Sequence, residues 1–253
     1  MKLSIQKGSF WKRIVAYLFD MILAVILAIG CATVISKIVK YDSYFDKLDA
    51  YYEQYEEKYG IDLEISDEEY DKLSDEEKAK YEEADAAIKK DKDVLQTYNM
   101  MFYLTLVIVT LAILISHILL YFIVPLLFKN GQTLGKKIFS LAVMRTDYVR
   151  VTHPVMFVRS ILGLFAVETM VPVVLLVMLY FGSIGFVGIL VMLLIFILQI
   201  GLLIATSNNT AIHDSFASTV VVDFASQTMF DSNEARDAYR QEQAALESEK
   251  ASY

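Results

Sequence analysis

The sequence predicts an all-α, polytopic membrane protein with four transmembrane helices and an extracytoplasmic acidic helical hairpin between helices 1 and 2. Three observations carry this. Of 253 residues, 56% are hydrophobic, against roughly 45–50% in soluble domains. Four segments, approximately 11–38, 100–128, 156–181 and 185–206, approach the roughly 20 apolar residues that cross about 30 Å of hydrocarbon. Acid and grease also form separate blocks. Residues 41–98 hold 20 Asp and Glu against 8 Lys, a local balance of −12, so a chain of net charge −8 carries +4 elsewhere.

The first block, 1–39, is a basic N-terminus and the first span. Lys2, Lys7, Lys12 and Arg13 precede the apolar run, and short flanks rich in Lys and Arg stay cytoplasmic. Asp20 interrupts the run, which suits a permanent, protein-packed span better than a cleaved signal. The one cysteine, Cys31, excludes an intramolecular disulfide and a thiolate metal cluster.

Residues 40–98 form the acidic insert. Tyr41, Tyr44, Phe45, Leu48, Tyr51, Tyr52, Tyr55 and Tyr59 keep the rhythm of one helix face, and Gly60 stops that helix. The sequence SDEE occurs at 66–69 and again at 74–77, each a helix-start capping box. Helices at 41–59 and about 75–98 are therefore expected to pair antiparallel through the tyrosine seam, outside the membrane.

The second span, 99–128, leads into a basic Gly/Lys loop, 129–154, whose first part reads NGQTLGKKIFS. It is not a phosphate loop. Three residues separate Gly131 from Gly135 where four are needed, and Lys136 is followed by Lys137 rather than Ser or Thr. The expectation is a glycine-bearing turn in the headgroup layer, with Lys136 and Lys137 on anionic lipid headgroups at about 1 kcal/mol each. Lys129, Lys136, Lys137, Arg145 and Arg150 place this loop inside.

Residues 155–206 carry the third and fourth spans, with the turn at Gly182-Ser183-Ile184-Gly185. Arg159 and Glu168 lie in the third, so an interfacial helix over 155–168 competes with a full span. The HD segment and polar tail, 207–253, return to the cytoplasm, the tail as a solvated helix or a disordered segment.

Ionisable groups inside a bilayer require a partner or a role. Asp20, His117 and Glu168, with Gln199 as polar companion, are the candidate intramembrane polar or ion/proton site. Counted at about 1.5 Å per residue from the cytoplasmic ends, the first three fall at similar depth and are expected to converge. There is no HExxH, GxSxG or GxGxxG motif, so no enzyme, metal or cofactor is expected. The basic segments are short and lack interleaved aromatics, which disfavours nucleic acid. The expected partners are the bilayer, its anionic headgroups at the cytoplasmic face, and a second copy or another membrane protein.

KRIVAYLFD at 12–20, GQTLGKKIFSLAVM after the second span, Arg159, and HDSFASTVVV at 213–222 together resemble the RDD family of small bacterial integral membrane proteins. The resemblance covers about 10–29, 120–165 and 205–222, and the acidic insert departs from it. It implies that Arg13, Asp20 and Asp214 are the name-giving residues, with Arg159 part of the pattern, and that the chain sits in the bacterial cytoplasmic membrane. It also implies a small transporter or transport accessory for protons or monovalent cations. The alternative is a non-transporting scaffold that binds partners through the acidic hairpin. Arg13 is expected to pair with Asp214 at the interface, and Asp20 to turn inward beside His117 or Glu168.

Overall fold

The computed structural model describes residues 3–206 and 208–251. It is mostly helical. In chain order the elements are α1 (Phe10–Ile38), α2 (Tyr41–Tyr59), α3 (Asp67–Tyr70), α4 (Asp75–Ile88) and α5 (Lys92–His117). A π-helical segment Ile118–Ile123 continues into α6 (Val124–Leu127), followed by α7 (Leu134–Ile138) and strand β1 (Leu141–Arg145). Next come α8 (His153–Phe157), a π-helical segment Val158–Met170 and α9 (Val171–Tyr180). The chain closes with α10 (Phe186–Ala205), α11 (Ile212–Phe216), β2 (Thr219–Asp223) and α12 (Asn233–Ala251). Among the described residues, three runs are long and apolar enough to cross a membrane: Phe10–Ile38, Lys92–Leu127 and His153–Tyr180. A shorter apolar helix covers Phe186–Leu202.

The chain divides into two compact units. One is Ala32–Val109; the other joins Met1–Cys31 to Thr110–Tyr253. In the first, α2 ends at Gly60, which takes the left-handed φ of 66° that only glycine adopts freely. α4 opens on a reciprocal capping box between Ser74 and Glu77, and Ser66 with Glu69 repeats it ahead of α3. α2 packs on α4, and Tyr55 of its stripe donates to Asp91 at 2.9 Å. Two of the insert's tyrosines, Tyr70 and Tyr81, meet edge-on at 5.0 Å between centroids.

In the larger unit, the departure from an all-α fold is a two-stranded antiparallel sheet pairing Leu141 with Asp223 and Arg145 with Thr219 at its ends. Both faces are covered. Leu141, Val143 and Val221 pack with Ala16, whereas Ala142, Met144, Val220 and Val222 pack with Ile5, Tyr148 and Met229. Burial on both faces is why LAVM and TVVV are continuous apolar runs rather than alternating ones.

Helix α1 buries only Ala16, Asp20 and Ala24, a four-residue spacing that forms one narrow stripe. Its small residues allow close approach, as helices packed within lipid require. The Ala24 carbonyl accepts from Ser116 at 2.8 Å, and Ala24 clusters with Tyr121 and Leu164. The opposite face exposes Ile22, Val25, Ile26 and Ile29, an apolar surface suited to lipid.

Candidate functional site

Asp20 docks α7 against α1. Thr133 caps the N-terminus of α7, accepting from the Lys136 amide at 3.3 Å, and donates its own hydroxyl proton to Asp20 in a very short bond. The other Asp20 oxygen accepts from the Gly135 amide at 2.7 Å. The carboxylate thus satisfies two donors at the positive end of a short helix. Gly135 is required by closeness. A Cβ there would overlap the Ala16 carbonyl and stand 3.0 Å from the Asp20 carboxylate. Gly131 serves the turn, with φ of 62°.

A second polar chain joins the π-helical segment to α11. Arg159 donates through Nε to Asp214 at 2.9 Å, and its Nη2 lies 3.0 Å from His213 Nε2. Arginine only donates, so His213 Nε2 accepts and the ring proton is assigned to Nδ1. Nδ1 faces the Glu168 carboxylate at 2.9 Å, and the His213 amide donates to the same group at 2.6 Å. Gln199 closes the chain, donating to Glu168 at 3.2 Å and accepting from the Ile212 amide at 3.1 Å. Asp214 also accepts from Thr219 at 2.9 Å. Burial alone would raise the Asp214 carboxyl, but Arg159 above all, with the Thr219 hydroxyl, holds it well below the usual carboxylate range.

The π geometry brings this chain together. Arg159 and Glu168 are nine residues apart, which at 3.6 residues per turn is two and a half turns and puts them on opposite faces of an α-helix. With i→i+5 pairing, about 4.4 residues per turn, nine residues make about two turns and share a face. Gly163 lies between them, and a Cβ on it would stand 2.7 Å from His213 Cα, so its bareness lets α11 approach.

Beside this chain lies a cavity of about 650 Å³, within the range of small-ligand pockets. Arg13, Lys136, Arg159, Glu168, His213 and Asp214 mark its charged end, and apolar residues of α1 and α10 form its walls. Arg13 donates to the Asn209 carbonyl at 2.7 Å, and the Lys136 amine donates to Thr133 at 3.3 Å. Among the described residues neither cation has an ion-pair partner. Burial first, then Arg159, pulls the Lys136 amine down to about 8.

The profile of the RDD family matches residues 7–218. The chain belongs to the RDD family. No characterised protein and no solved structure matches it. The match spans all the pattern residues, and the geometry corrects how this RDD-family chain was expected to use them. Asp214 pairs with Arg159, not Arg13, because α11 packs on the π-helical segment. Asp20 meets neither His117 nor Glu168; it accepts from Thr133 and Gly135 at the start of α7. His117 lies instead against the Ile113 carbonyl at 3.0 Å and Thr169 at 3.2 Å. Of the four intramembrane candidates, Glu168 and Gln199 bond to each other. Lys136 turns into the cavity rather than outward, while Lys137 is exposed and places its amine 3.9 Å from the Phe128 ring centroid. Sequence reasoning missed Thr133 and His213 as site residues. Their signals were the capping position ahead of LGKK and the direct neighbourhood of Asp214.

Proposed function

We propose that the protein is a small transporter or transport accessory of the bacterial cell membrane, handling protons or monovalent cations, with Glu168 and His213 rather than Asp20 as the proton-exchanging pair. The observation that carries this is the Glu168 carboxylate, bonded twice to His213 and lining the cavity. Carboxylate and histidine chains that face an intramembrane cavity are the usual material of proton relays. Asp20 is occupied by Thr133 and Gly135, which makes it a positioning residue in this reading. In proteoliposomes with a trapped pH dye and a monovalent-cation gradient, wild type should move protons and Glu168→Gln should not, while Asp20→Asn lowers the amount of folded protein more than the flux per molecule. Wild-type flux in Glu168→Gln would sink the assignment. Absence of flux in wild type would favour the scaffold reading.

The topology in this proposal has four spans. α10 has 20 residues, about 30 Å at 1.5 Å per residue, which is long enough to cross. The basic flanks then put both termini in the cytoplasm and the acidic insert outside as a helical hairpin. In a Cys31→Ser background, Ser66→Cys should react with a membrane-impermeant thiol reagent on intact cells. Reaction only after lysis would reverse the orientation.

A further inference from the structure

The cavity lining carries three cations, Arg13, Lys136 and Arg159, against two carboxylates, Glu168 and Asp214. Glu168 accepts from His213, and Asp214 is bonded by Arg159. Arg13 and Lys136 are left with one neutral oxygen each, a carbonyl and a hydroxyl. Their charges are near enough to repel, and Asp214 beside both and Asp20 near Lys136 offset them only in part without bonding to either. Unmatched cations beside apolar walls are unfavourable unless an anion joins them. Guanidinium and ammonium together suit a phosphate, the first as a planar fork and the second as a point charge.

The walls decide where the phosphate comes from. Leu18 of α1 and Ile189, Leu193 and Phe196 of α10 line the cavity and are 41–62% exposed. The cavity is therefore bordered by accessible apolar surface on two long apolar helices, a surface suited to lipid. We propose that it seats an anionic phospholipid of the surrounding bilayer, its phosphate between Arg13 and Lys136 and an acyl chain along α1 and α10. This lipid is a resident of the fold, independent of the transport reading, and its site is distinct from a headgroup contact at exposed Lys137.

Native mass spectrometry of the full chain released from nanodiscs of equimolar phosphatidylglycerol and phosphatidylcholine tests this. Wild type should retain phosphatidylglycerol over phosphatidylcholine by about tenfold or more, given roughly 1 kcal/mol for each cation near an anionic headgroup. Arg13→Gln, Lys136→Gln and their combination should each lower that ratio, the combination to near unity. Arg13→Lys and Lys137→Gln should keep it. Circular dichroism melting of the same samples checks folding, and either single variant suffices if the pair does not fold. Equal retention of the two lipids by wild type, or an unchanged ratio in the folded variants, overturns the proposal. Displacement of phosphatidylglycerol by inorganic phosphate overturns it too, because the site would then serve a water-borne anion. A protein that keeps the lipid but passes no protons would sink only the transport reading.

Discussion

Arg159→Met should be the most destabilising substitution in the chain, lowering stability by about 3–5 kcal/mol, the range seen when one partner of a buried ion pair is removed. Arg159 is 2% exposed and Asp214 1%, so solvent does not screen their interaction. The loss falls on two elements at once. Among the described residues Asp214 keeps the hydrogen bond from the Thr219 hydroxyl, while His213 Nε2 loses its donor. Asp214→Asn should cost less, because the amide oxygen can still accept from Arg159 and Thr219. Thermal melting of purified protein in detergent, followed by circular dichroism, reads both. An Arg159→Met protein that melts like wild type would mean that the pair holds nothing together.

Gly135→Ala should fail for a different reason. Its methyl group would have to enter the space of the Ala16 carbonyl and press on Asp20, and neither is the movable end of a long side chain. Overpacking of this kind costs about 1–3 kcal/mol or more, and pushing α7 away also releases the bonds from Thr133 and Gly135 to Asp20. The control is Gly30→Ala on the same helix as Asp20, where an added Cβ meets nothing within 4 Å. That change should be neutral or stabilising by up to about 1 kcal/mol through helix propensity. Melting temperatures that fall equally for the two variants would show that α7 does not pack as closely as described.

Much of the helical plan is legible in the sequence because its signals are local. Gly60 at the end of a tyrosine stripe, the two SDEE boxes and the turn at Gly182 each depend on neighbours within a few residues. What depends on distant partners is not. LAVMR and TVVVD are 5-residue strands separated by more than 70 positions, and so short an apolar run cannot be told from buried helix by its pattern. The site is not legible in the sequence for a geometric reason. Depth along a helix follows from counting residues, but rotation about its axis does not, so Asp20, His117 and Glu168 were set at one level while facing three different partners. The π-helical segment added to this, since a 3.6-residue period separates Arg159 from Glu168 and the actual winding joins them.

Asp214 is bonded by Arg159, whereas Arg13 donates to the Asn209 carbonyl and lines the cavity without bonding to Asp214. A pair of double-mutant cycles, Arg159 with Asp214 and Arg13 with Asp214, measured as thermal stability of the same detergent-solubilised protein, tests this arrangement most directly. The geometry predicts a large coupling for the first pair, within the roughly 0.5–3 kcal/mol seen for residues in contact, and a much smaller one for the second. A coupling to Arg13 equal to or greater than that to Arg159 would contradict the account.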